Sequence, residues 1–218
     1  MKLTLVYPKM RALAEPARMT AAHAKVALID AFPWDFFGEA SWPVAKSKVP
    51  FGQLPMLVVE DKSSGKTSEI CMSNAICRFI ATIGAKIPAD PADAAIVDSI
   101  GEKFHELFVP LNPICNFMKF YTPEKAEEAL TKTRGCLTLL DPILAKSGGP
   151  FCMGQSAYYA DFHVYHHVSL ALMLDSSLLD NFPKVNELMK AVESLDGVKE
   201  YLAKRPGKLN LPHIPSHV

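Results

Sequence analysis

Several stretches of the chain carry residue types that can do chemistry. Pro55 heads the apolar run Met56 to Val59 in Phe51-Gly52-Gln53-Leu54-Pro55-Met56-Leu57-Val58-Val59-Glu60. Proline has no N–H to give a ladder, so here it marks a strand edge or a turn, and X–Pro bonds are where cis peptides occur. Either arrangement leaves the amide and carbonyl of Leu54 free to bind something else. Met72-Ser73-Asn74-Ala75-Ile76-Cys77-Arg78-Phe79 opens an amphipathic helix on a small polar pair. Ser73 there caps the helix, and the remaining amides can receive a carboxylate. A freed strand edge beside a helix start suits a peptide-like ligand with a carboxylate. Tyr7 ends a short apolar strand, where ligands of open α/β sheets usually sit. Taken alone, it also reads as a packed tyrosine with its hydroxyl in water. His163 and His167 stand four apart on one helical face. A third metal ligand is not evident and His166 points elsewhere, so no metal is expected. The plain alternative is a partly buried helix face with satisfied imidazoles.

The elements that must position these residues fall into two groups. The pattern predicts strands over 3–7 and 26–31, a helix over 10–25 bent by or starting near Pro16, and a short helical or irregular piece over 40–47. A hairpin follows, with strands from 56–59 and 66–69 and its turn at 61–65; then comes a helix over 73–83. This β-α-β-α-β-β-α order describes a small mixed sheet with helices packed on it. A linker with two prolines spans 85–91. Beyond it the pattern is helical, over 92–119, 123–146, 158–174, 183–194 and 197–204, ending in an extended tail over 209–215. Thr122 and Pro123 supply a cap and a first-turn proline for the second of these helices.

Bulk properties exclude several classes. The 218 residues allow one large domain or two small ones, and 49% hydrophobic with 21% charged residues is ordinary for a soluble globular protein. With 23 Lys plus Arg against 23 Asp plus Glu, the chain has no electrostatic reason to seek nucleic acid or an anionic membrane. No apolar run reaches the ~18 residues of a membrane span, and the N-terminal run is too short for a signal peptide. The five cysteines (71, 77, 115, 136, 152) are scattered with no CxxC pair, which fits reduced thiols in a cytoplasmic protein.

Five segments then fall in order at workable spacing. They are Leu5-Val6-Tyr7-Pro8-Lys9-Met10-Arg11, Ser41-Trp42-Pro43-Val44-Ala45-Lys46, Phe51-Gly52-Gln53-Leu54-Pro55, Ser73-Asn74-Ala75-Ile76-Cys77-Arg78, and Gly154-Gln155-Ser156-Ala157-Tyr158-Tyr159-Ala160-Asp161-Phe162. Together they resemble the cytosolic glutathione transferases nearly end to end. The likeness is greatest to the sigma class, which includes glutathione-dependent prostaglandin D synthases. The resemblance implies an α/β thioredoxin-like N-terminal domain over 1–84 that binds glutathione. A linker over 85–91 and an all-helical C-terminal domain over 92–218 with the electrophile pocket would follow.

The resemblance also assigns roles. Tyr7 would be catalytic, its phenol donating to the sulfur of glutathione. The thiolate is the nucleophile, and lowering its pKa by about two units is worth roughly 2.7 kcal/mol. Ser73 would take the γ-glutamyl carboxylate, with Met72 beside it. Gln53 and the Leu54 backbone would meet the cysteinyl part, with Pro55 as a cis-proline. Trp42 and Lys46 would cover the glycyl end, although a surface lysine is often merely solvated. Asp98 would reach the glutathione amine of a neighbouring subunit and require a homodimer; its plain alternative is a solvated aspartate. The electrophile pocket would be lined by Pro8, Met10, Leu13, Gly101, Phe104, His163 and His167. Asp161 would be buried; the family places a capping Ser or Thr where this chain has Tyr158, so Asp161 would bond backbone amides alone.

Two glutathione-site positions depart from that pattern. Leu13 stands where the class has an arginine, and Met72 where it usually has a glutamine; Pro8 after the tyrosine is also unusual. A lost hydrogen bond to a charged group costs about 1.5–3 kcal/mol. The expected activity is conjugation of glutathione, as co-substrate, to small hydrophobic electrophiles. The alternatives are a glutathione-dependent isomerase of the same class, or a weakly active or non-catalytic binding or structural protein on the same fold.

Overall fold

The computed structural model describes residues 1–39, 41–116 and 120–205. Strands β1 (Lys2–Val6), β2 (Ile29–Ala31), β3 (Met56–Glu60) and β4 (Thr67–Cys71) form one sheet in the order β2-β1-β3-β4. β1 and β2 are parallel; β3 is antiparallel to both β1 and β4. Side chains alternate across it. Leu3, Leu5, Leu57 and Val59 join the main core with helices α1 (Glu15–Ala24) and α4 (Ser73–Ile83). Val6, Met56, Val58 and Cys71 face the other way, against Val49 and Trp42.

Helices α2 (Pro33–Phe37) and α3 (Trp42–Ala45), then a 3₁₀ turn over Lys46–Lys48, cross beneath that second face. α2 was not expected; Pro33 opens it, with its ring in the first turn where no N–H is needed. The expected helix over 10–25 is a 3₁₀ turn (Ala12–Ala14) followed by α1, because Pro16 belongs in a first turn. The second strand is shorter than 26–31, pairing only over Ile29–Ala31.

The helical half comprises α5 (Pro91–His105), α6 (Phe108–Asn116), α7 (Pro123–Lys146), α8 (Tyr159–Ala171), α9 (Pro183–Ser194) and α10 (Val198–Lys204). The single helix expected over 92–119 is broken at Glu106–Leu107. In a continuous helix the Pro110 ring would strike the Glu106 carbonyl, and that carbonyl would lose its donor. Residues 117–119 and the expected tail at 209–215 lie outside the described residues. α7 begins where Thr122 Oγ1 accepts the Lys125 N–H at 3.3 Å. α8 runs through the middle of the molecule with every residue but Ser169 buried. Asp161 anchors its start as expected: its carboxylate accepts the N–H groups of Cys152 and Tyr158, both at 2.8 Å.

Candidate functional site

Sheet register assembles the site. Val6 stands opposite Ala31 and Met56, and Met56 opposite Cys71. Tyr7 leaves β1, Pro55 enters β3, and Met72-Ser73 leave β4, all from that one row at one end of the sheet. β3 lies between β1 and β4, so the edge expected at Pro55 is not the side of a strand. It is the head of an interior strand, where Leu54 lies just outside the ladder. The Leu54–Pro55 bond is cis.

Tyr7 is held at both ends. Its N–H donates to Ala31 O at 3.1 Å, and its Oη accepts the Leu13 N–H at 3.3 Å. The residue is 7% exposed. Burial pushes the phenol above its ordinary value, while the Leu13 N–H and the Arg18 cation pull against that. Tyr7 therefore keeps its proton at neutral pH and can donate it. Leu13 serves through its backbone; the positive charge near the ring comes from Arg18, whose Cζ lies 6.0 Å from the ring centroid. Sequence patterning passed over Arg18. Its only sequence signal is Glu15 three residues earlier, and its burial depends equally on Asp30, which is distant in sequence.

Around the sheet end, Trp42 is half-buried against Val6 and Met56, and Gln53 is exposed. Lys46 lays its stem along Gly52, where an added Cβ would come 3.0 Å from Lys46 Cε. That brings Lys46 beside the Gln53-Leu54 segment. Ser73 does not cap α4: the N-cap is Met72, exposed and at φ 74°, and Ser73 is the first helical residue, buried. A left-handed backbone at a non-glycine residue carries strain, and such strain tends to mark functional sites. Asp98 accepts hydrogen bonds from Arg78 and from the Tyr159 hydroxyl of its own chain.

The residues expected to line one electrophile pocket are divided. Pro8, Met10 and Leu13 are half-buried in the segment following Tyr7. Gly101, Phe104, His163 and His167 are buried instead where α5 packs on α8. Gly101 faces the Tyr159 and His163 rings, which an added Cβ would meet at 3.6 and 3.8 Å. His163 and His167 stack with centroids 6.2 Å apart, His105 meets both edge-on, and His166 packs 4.9 Å from His167. His166 thus joins the cluster that the helical wheel sent it away from. Burial drives all of these imidazoles toward the neutral form, His167 to about 4. Among the described residues, no group of three or more His, Cys, Asp or Glu is placed to hold a metal ion.

Residues 111–205 match the family model "Glutathione S-transferase, C-terminal domain". The chain is 29% identical over 207 residues to probable glutathione S-transferase 6 of Caenorhabditis elegans, covering 93% of this chain and 96% of that one. Over nearly its whole length the chain is similar to glutathione S-transferases. The crystal structure of the glutathione S-transferase from Ascaris lumbricoides superposes with a TM-score of 0.80 at 27% identity, over 95% of this chain and 98% of that one. Hematopoietic prostaglandin D synthase of Gallus gallus is 27% identical over 203 residues, covering 93% and 96%. In this glutathione S-transferase fold, a thioredoxin-like sheet domain precedes a helical domain. The five cysteines are free and buried, with burial pushing Cys77 and Cys115 to about 12, so none has the character of a nucleophile. No helix among the described residues is long and apolar enough to cross a membrane.

Proposed function

We propose that the protein conjugates glutathione to small hydrophobic electrophiles, with Tyr7 donating a hydrogen bond to the glutathione sulfur. One observation carries this reading: the Tyr7 oxygen already accepts the Leu13 N–H, so its own proton remains to be given to a ligand. The tripeptide would lie across the end of the sheet, over residues 1–84. Leu54 and Gln53 would pair with its cysteinyl part, Ser73 and the first amides of α4 with its γ-glutamyl carboxylate, and Trp42 and Lys46 with its glycyl end. The sulfur then faces Tyr7, and the electrophile enters beside Pro8, Met10 and Leu13. The thiolate attacks the electrophilic carbon, the sulfur–carbon bond forms, and the leaving group departs with its electron pair.

In this reading the protein is a sigma-class homodimer in the cytoplasm. The exposed part of the Asp98 carboxylate would serve a neighbouring protomer's glutathione amine. A second reading, a glutathione-dependent isomerase forming prostaglandin D, is supported by the likeness to the Gallus gallus synthase. The same Tyr7 would serve both, so product analysis separates them.

Calorimetric titration with glutathione, followed by conjugation of a generic aryl halide, tests the proposal. Saturable binding is expected, with Tyr7→Phe losing at least ~10-fold in rate, as befits a hydrogen bond to a charged group. Absence of glutathione binding would sink the enzyme reading and leave a non-catalytic protein on the transferase fold.

A further inference from the structure

We propose that Arg18 is the positioning residue for Tyr7, clamping the segments that hold the phenol and presenting a buried cation to its ring. The proposal rests on the reading of Tyr7 as the donor to sulfur. Arg18 Nη1 donates to the Met10 carbonyl at 2.8 Å, in the same connection whose Leu13 N–H reaches Tyr7 Oη. Its Nε donates to Asp30 Oδ1 and Oδ2 at 2.9 and 3.2 Å, one residue before the Ala31 carbonyl that receives the Tyr7 N–H. The amide and hydroxyl of Tyr7 therefore hang on two segments that one guanidinium ties together.

The charges are arranged unevenly. The Arg18 side chain is 6% exposed and that of Asp30 53%, so the cation faces the buried ring while much of the anion is screened by water. Glu15, 3.8 Å from Arg18, is shared with Arg205 and the Tyr201 hydroxyl. A cation near a phenol favours negative charge on its oxygen and makes its proton a better one to share. A planar fork also does what a lysine cannot, since it bonds Asp30 and Met10 at once.

A merely structural ion pair predicts that substitutions at Arg18 and Asp30 act alike, whereas the electrostatic clamp predicts opposite signs. Arg18→Gln removes the cation; Asp30→Asn keeps it, still held by the Met10 carbonyl and balanced only by the shared Glu15. Two readouts apply: alkaline titration of the phenol, isolated by subtracting the Tyr7→Phe protein, and the pH profile of kcat/KM. In Arg18→Gln both midpoints should rise by about one unit, a ~10-fold change in the ionisation constant. Arg18→Lys should recover part of that shift. Asp30→Asn, at an exposed position, should move both midpoints down. KM for glutathione should stay within about twofold, because the loss lies in the transition state. Shifts of the same sign in Arg18→Gln and Asp30→Asn, or none in either, would overturn the proposal. A rate indifferent to Tyr7→Phe would instead sink the reading of Tyr7, since the phenol titration reads the Arg18 coupling without any catalysis.

Discussion

At the scale of single residues, the site depends on what each polar atom has left to give. Tyr7 Oη has taken the Leu13 N–H and keeps one proton. Met72 offers no polar atom of comparable strength, and it is exposed at the head of α4 beside Ser73. Met72→Gln would place an amide there, and one hydrogen bond to a charged γ-glutamyl group is worth about 1.5–3 kcal/mol. Glutathione should then bind roughly tenfold or more tightly, read as the calorimetric Kd. An unchanged Kd would show that this position does not face the ligand. Residue types singled out Tyr7, Leu54 and Ser73 as candidates, and sheet register brings their segments to one end of the sheet. Those types did not reveal that Met72 rather than Ser73 occupies the cap, because the φ of 74° is a backbone property that methionine does not advertise. Arg18 was illegible for a related reason: its partners Met10, Asp30 and Tyr7 come together only when β1, β2 and α1 pack.

Among the elements, the packing of α5 on α8 decides most. Local signals sufficed where a cap and a first-turn proline marked a start, as at Pro123–Lys146. They failed where periodicity ran on through Pro110 and Pro113. In α8 they found the helix but not its burial, which leaves no polar face to read. That burial also overturns satisfied imidazoles: both ring nitrogens of His163 and His166, and Nε2 of His167, have no hydrogen-bond partner among the described residues. Facing them are His105 with Glu102 nearby on α5, and Arg11 and Arg205 from the segments before α1 and after α10. The two arginines oppose protonation of His166, while Glu102 favours it at His105. The folded-state values lie below the unfolded value of about 6.5, so the unfolded chain binds more protons beneath that pH. Stability is therefore full above about pH 6.5 and falls by up to ~1.4 kcal/mol per pH unit for each histidine as pH drops. For His167 the loss continues to about 4. Asp161, raised by burial, acts in the opposite direction as a single group. Urea midpoints measured from pH 7.5 to 5 should fall steeply. His163→Leu, which removes two unpartnered nitrogens, should cost less than about 1 kcal/mol at pH 7.5 and flatten the profile. An identical slope in parent and variant would contradict this.

For the whole molecule, one hydrophobic core joins the two halves. It runs from Leu5 and Leu57 of the sheet through Ile76 and Ile80 of α4 to Phe162 and Val168 of α8. Composition marks a linker over 85–91, but it is blind to the faces of α1 and α4 that α8 covers. The halves should unfold together. Fluorescence of Trp34 and Trp42, both in the sheet half, should give the same urea midpoint as far-UV circular dichroism, which is dominated by the helices. Separated midpoints would mean that the shared core does not couple them. In the proposed function, a buried, protonated Tyr7 stabilises the thiolate of glutathione bound across the end of the sheet. Ultraviolet titration of bound glutathione tests it directly in the parent and in Tyr7→Phe. The thiol of the bound tripeptide should ionise about two units below its free value in the parent, and close to that free value in Tyr7→Phe. The same midpoint in both proteins would contradict the claim.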